Sequence, residues 1–185
     1  GLSLWLMPND PLRTKLRGII NDVAEAETSP KFEPHMTIIS IPFPSSTPEL
    51  SGALTPILQK YKDLKLQFKS LFVGSSYFIS VVISLQKTPP LSVFQQEVVQ
   101  CLHSALGIDI PPKEFFPHIS LYYGETSTEE RDRIASSIRA NGVSSDEDGL
   151  AVNGAAESLP NEIWVVQTEG SVRDWKVLEI VKLES

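Results

Sequence analysis

The sequence predicts an α+β fold of two antiparallel-sheet-plus-helix lobes related by a pseudo-two-fold axis, with 1–185 forming one bilobal domain. Three observations predict it. The order strand, helix, strand, helix, strand fits Leu2–Lys69 and fits again from Tyr77 to Thr168. Hairpin signals interrupt the helices, which argues for α+β rather than an alternating parallel sheet. One heptapeptide also occurs in both halves: Phe32-Glu33-Pro34-His35-Met36-Thr37-Ile38 and Phe115-Phe116-Pro117-His118-Ile119-Ser120-Leu121.

The elements follow in order. Leu2 to Met7 is apolar and reads as a strand. Asp10-Pro11 reads as an N-cap with proline at the first helical position. Leu12, Leu16, Ile19, Ile20 and Val23 then recur at helical spacing until Thr28–Pro30 breaks the helix. His35 to Ile41 alternates as a strand. Pro42, Pro44 and Pro48 make a loop. A helix carries Leu50, Leu54, Ile57 and Leu58, and Pro56 is expected to kink it or mark its start. Leu64–Val73 and Tyr77–Leu85 form a hairpin around Gly74-Ser75-Ser76. Leu91, Phe94, Val98, Cys101 and Ala105 form a helical stripe that Gly107 ends. Phe116 to Tyr123 is a strand. Ser127-Thr128-Glu129-Glu130 is a capping-box signature ahead of Ile134 and Ile138. Asn141–Pro160 is polar and acidic and reads as a loop. Ile163–Thr168 and Trp175–Leu183 close the chain as strands.

Composition narrows the function classes. The chain has 185 residues, 41% of them hydrophobic and 21% charged, enough to bury a core. The net charge of −7 counts against a protein that grips long nucleic acid through lysine and arginine. A small phosphorylated ligand needs only a local site. The single cysteine, Cys101, excludes an internal disulfide framework and a thiolate zinc cluster, and reads as core. The longest apolar run, Tyr77–Leu85, has strand length, so no membrane span is expected. No basic, apolar leader is visible, and the cytosol is the default compartment. No phosphate-binding or dinucleotide glycine fingerprint is present.

The duplicated heptapeptide carries the chemistry. On a strand, side chains at i and i+2 share a face, so His35 and Thr37 look one way while Met36 and Ile38 look inward. His118 and Ser120 match them. If the halves are related by a two-fold axis, the imidazoles face each other across one cleft with the hydroxyls between. Two opposed imidazoles suit a phosphodiester, because in-line attack needs a base on water and an acid on the leaving oxygen. Imidazole, with a pKa of about 6.5, can fill either role. The Thr37 and Ser120 hydroxyls can donate to the non-bridging oxygens. No metal or cofactor is required in principle. A two-histidine metal site is the competing reading, with Glu33 the nearest candidate carboxylate and Pro34 obscuring its direction.

Paired His-x-Thr/Ser motifs, one per half, resemble the 2H phosphoesterase superfamily. Leu4-Trp5-Leu6-Met7-Pro8, Phe32–Thr37 and Pro117–Tyr123, with Ile163–Val166 and Trp175–Leu178, resemble the fungal and plant cyclic nucleotide phosphodiesterases. The resemblance implies a bilobal fold with the active site between two antiparallel sheets. It implies metal-independent opening of ADP-ribose 1″,2″-cyclic phosphate and of nucleoside 2′,3′-cyclic phosphates to 2′-phosphates, in disposal of a tRNA-splicing by-product. It makes His35, Thr37, His118 and Ser120 the catalytic set, with Thr37, Ser120 and Tyr123 holding substrate. It assigns His118 as base and His35 as acid, an order that the near-symmetry of the motifs leaves open. Strict alternation puts Tyr122 beside Ser120. A bulge or the strand end before Gly124 would bring Tyr123 there instead. The partner expected is a small cyclic phosphate bound by a monomer. RNA-end processing by a 2′-5′ ligase-like relative, or binding without catalysis, are the alternatives. His103 and the Asp146-Glu147-Asp148-Gly149 run read as solvated, and Trp5, Phe72, Phe78 and Trp164 as core.

Overall fold

A computed structural model describes residues 1–183. The apolar strand β1 (Leu2–Met7) lies between β2 (Met36–Ile41) and β9 (Glu162–Gln167), and β10 (Lys176–Lys182) flanks β9. On the far side of β2 come β5 (His118–Tyr122), β4 (Val81–Leu85), β3 (Leu66–Val73) and the short β8 (Glu157–Ser158). All of these neighbours are antiparallel. The two lobes read from the sequence are thus one continuous, strongly curled sheet of eight strands, β10-β9-β1-β2-β5-β4-β3-β8. Its seam is narrow: β2 and β5 share one register pair, Met36 with Ile119.

Four helices cover one face: α1 (Leu12–Glu27), α2 (Ser51–Lys60), α3 (Pro89–Leu106) and α4 (Thr128–Arg139). They are exchanged across the seam. Helix α1 links β1 to β2 but packs on β5, and α3 links β4 to β5 but packs on β2. The spacing in the sequence dictates these contacts. Leu12, Leu16, Ile19, Ile20 and Val23 are all buried, and they meet Leu4, Leu6, Met36 and Ile119 in one core. Each full burial of such a side chain contributes roughly 1.5–3 kcal/mol relative to exposure.

Both motif strands carry a bulge at the same place. On β2, Thr37 pairs with Trp5 and Ile39 with Leu4, which leaves Ile38 extra. On β5, Ser120 pairs with Val82 and Tyr122 with Val81, which leaves Leu121 extra. One extra residue advances the alternation by one, so the third residue after each motif hydroxyl residue, rather than the second, returns to its face.

Several expectations are corrected. Asn141–Pro160 is not a loop: β6 (Val143–Asp146) and β7 (Gly149–Val152) pair as a hairpin, and β8 follows. Gly149 supplies a positive φ of 132° at that turn, which a side-chain-bearing residue adopts poorly. Residues 77–80 form an irregular turn, so the strand begins at Val81. Pro56 lies inside α2, whose Leu54 and Leu58 are buried. That helix is held at its start by the Glu179 carboxylate, which accepts from the Leu50 and Ser51 amides at 3.0–3.1 Å. Pro11 is the N-cap of α1, while the Asp10 carboxylate accepts from the Thr14 amide at 3.0 Å. The buried stripe of α3 ends at Leu102, and Ala105 is exposed. The Ser127 cap is as expected, its hydroxyl accepting from the Glu130 amide at 3.2 Å. Among the described residues no helix is long and apolar enough to cross a membrane.

Candidate active site

Each motif histidine is locked by its own chain. His35 Nδ1 lies 2.7 Å from the Glu33 carbonyl, and His118 Nδ1 lies 2.7 Å from the Phe116 carbonyl. A carbonyl can only accept, so Nδ1 carries the proton in both rings and Nε2 is left with the lone pair. An aromatic ring backs each imidazole. Trp5, on the neighbouring strand, stacks on His35 with centroids 3.6 Å apart and planes 8° from parallel. Phe116 stacks on His118 at 4.9 Å and 24°. Only one soft freedom, rotation about the side-chain bonds, would otherwise let these rings drift. The carbonyl and the stack remove it.

The register sets the four residues relative to one another. With Met36 opposite Ile119, one step each way puts His35 across from Ser120 and Thr37 across from His118. The histidines therefore occupy diagonal corners of the seam, near enough for His118 to bear on the charge of His35. All four side chains line one cleft of about 390 Å³. Ser120 Oγ donates to the Phe78 carbonyl at 3.1 Å. Thr37 makes no side-chain hydrogen bond among the described residues, so its hydroxyl faces the cleft uncommitted.

Burial favours the neutral form of both imidazoles. Burial pushes the His35 pKa down to about 3, opposed by the Glu33 carbonyl and assisted by the nearness of His118. Burial lowers that of His118 as well, opposed by the Phe116 carbonyl. Burial pushes the Tyr123 phenol up. His35 is deeply buried, while His118 remains partly exposed.

The β5 bulge decides the tyrosine. Tyr123 lines the cleft and packs flat on Phe32, centroids 3.9 Å apart, whereas Tyr122 turns into the core. The expectation that Phe72 and Phe78 are core is overturned. They are 42% and 50% exposed, and Phe78 lines the cleft beside Trp175 at 5.8 Å. Trp5 is buried, but against His35. Trp175, Phe116 and Ser40 also line the cleft and were not singled out from the sequence. The bulge at Ile38 could have found Ser40 only if the partner strand's register had been known. Glu33, the carboxylate that a metal reading would need, is instead held by Arg17 at 2.9–3.1 Å. Among the described residues no group of three or more His, Cys, Asp or Glu side chains is placed to hold a metal ion. His103 lies away from the cleft, 3.9 Å from Asp109. Cys101 is partly buried, and burial raises its thiol pKa.

The chain falls among the 2H phosphoesterases, as the match to a family model shows. The family model described as cyclic phosphodiesterase-like protein matches residues 1–183, and the chain belongs to that family. That membership points to cyclic phosphodiesterase activity on a small cyclic phosphate. No curated protein matches the chain.

Proposed function

We propose that the protein opens cyclic phosphodiesters by histidine acid–base catalysis, taking nucleoside 2′,3′-cyclic phosphates to 2′-phosphates and ADP-ribose 1″,2″-cyclic phosphate to ADP-ribose 1″-phosphate. The observation that carries this reading is the matched lock on His35 and His118, which leaves both Nε2 atoms for one cleft. The cyclic phosphate binds between the rings as a monoanion. Its charge favours an imidazolium, so one histidine takes up a proton on binding. His118 Nε2 removes a proton from water as the water oxygen bonds to phosphorus. On the opposite side the bond to the ribose oxygen breaks, and the imidazolium of His35 protonates that oxygen. Thr37 donates to a non-bridging oxygen. Ser120 can do so once it turns from the Phe78 carbonyl. The order of roles is supported by exposure: water reaches the open His118 more readily than the buried His35. The histidines supply the proton transfers, and no step requires a metal. The matched motifs on either side of the β2–β5 seam support a near-two-fold relation between the halves. The free Cys101 suits the cytosol.

The test offers adenosine 2′,3′-cyclic phosphate and ADP-ribose 1″,2″-cyclic phosphate with EDTA present, and assigns the product by phosphorus NMR. His35→Ala and His118→Ala should each lower kcat/KM by about 10²–10⁴-fold. Full activity in either variant overturns the reading.

A further inference from the structure

The register of the sheet matches the two halves row by row. In the first half Thr37 on β2 stands beside Trp5 on β1, and Trp5 beside Trp164 on β9. In the second half Ser120 on β5 stands beside Val82 on β4, and Val82 beside Phe72 on β3. Residues paired across adjoining strands share a face, so Phe72 holds the place in its row that Trp164 holds in the other. The middle positions differ. Trp5 stacks on His35 directly, whereas Val82 carries no ring and Phe116 supplies the one that backs His118.

Phe116 therefore holds His118 twice, by its ring and by its backbone carbonyl. Glu33, which gives the matching carbonyl to His35, is itself fixed by the Arg17 guanidinium at 2.9–3.1 Å. Phe116 has no charge to be fixed in that way. Its second aromatic contact is with Phe72, centroids 5.4 Å apart and planes at 68°, the edge-to-face geometry that aromatic pairs favour. Phe72 stands outside the cleft lining, and its ring is largely exposed. It neither reaches the reacting atoms nor fills the core, so its packing partner is Phe116.

We propose that Phe72 is a positioning residue for His118: its ring fixes Phe116, and Phe116 fixes the direction of the imidazole and its Nδ1–H tautomer. The consequence for turnover rests on the cyclic phosphodiesterase reading, while the lock itself is measured without substrate. Nitrogen-15 spectra of the imidazoles at about pH 8, above the ordinary imidazole range, report the tautomer. His118, identified by the signals that His118→Gln loses, should show a protonated Nδ1 well separated from a lone-pair Nε2. In Phe72→Ala the two signals should draw together as both tautomers become populated, while those of His35 stay in place. Phe72→Leu keeps apolar bulk on β3 and removes the ring, and should act in the same way. Phe72→Trp, the residue type of the matched position, should restore the separation. With adenosine 2′,3′-cyclic phosphate, Phe72→Ala should lower kcat about tenfold and move KM little, because misplacing a reacting group costs rate rather than binding. His118 signals unmoved in both Phe72→Ala and Phe72→Leu overturn the proposal, whatever the rate does. Signals that draw together at unchanged kcat overturn its part in catalysis. If the unsubstituted protein turns over no cyclic phosphate, the cyclic phosphodiesterase reading falls, and signals that still draw together support the lock.

Discussion

At the scale of single residues, the cleft trades stability for chemistry. An imidazole in the unfolded chain has a pKa of about 6.5, and in the folded chain that of His35 is about 3. Between those values the unfolded state binds more protons, so stability rises with pH across the window. The stability is fully present above about pH 6.5 and is lost as pH falls towards 3. Urea unfolding at stepped pH should show this slope, and His35→Asn should reduce it to what the burial of His118 contributes. The same depression predicts the ligand side of the linkage. A bound phosphate anion restores the imidazolium, so binding takes up a proton. Titration calorimetry with adenosine 2′-phosphate in buffers of differing ionisation enthalpy should measure that uptake near neutral pH, and the affinity should rise as pH falls. The residue types and the i, i+2 spacing were legible in the sequence. The Nδ1 locks were not, because they depend on how the chain bends back before each strand. Phe78 lies in the cleft although its type predicts core, because hydrophobic identity alone does not separate a core ring from a cleft ring.

At the scale of elements, the site depends on two bulges and one clamp. Tyr123 and Ser40 reach the cleft only because Leu121 and Ile38 are extra residues. A bulge is a property of two paired strands, so one strand's pattern cannot reveal it. The hairpin Val143–Val152 was missed for a different reason. Its two-residue turn is Glu147-Asp148, between the paired Asp146 and Gly149, and an acidic pair there carries no hairpin signature of the Asn-Gly or Asp-Gly kind. The clamp is Arg131 on α4. It is 5% exposed, and its guanidinium donates to the carbonyls of Gly74 at 2.8 Å and Gly124 at 3.0 Å. It ties the turn that carries Phe78 to the end of β5. Arg131→Met should leave those carbonyls unpaired and lower stability by about 1–3 kcal/mol in chemical denaturation. Activity should fall further than stability accounts for, because the turn that sets Phe78 into the cleft beside Tyr123 is then no longer fixed.

At the scale of the molecule, the duplication was legible as a repeated order of elements. Its spatial form was not. Strands from both chain ends flank β1, and α1 and α3 each cover the half to which they do not belong in sequence. Neither half therefore owns its core. Scanning calorimetry of the intact chain should show a single transition with agreeing calorimetric and van't Hoff enthalpies. Two resolved transitions would mean the halves fold independently.

The stack of Trp5 on His35 joins an indole to a group whose charge changes with occupancy. A protonated imidazole against an excited indole drains its emission by electron transfer. Trp164 lies 6.5 Å from Trp5 and Trp175 5.9 Å from it, so every tryptophan in the chain sits around that one ring. The protein thus carries a built-in optical gauge: its ultraviolet glow should dim as the cleft fills and brighten as product departs, letting single turnovers be followed with no dye attached.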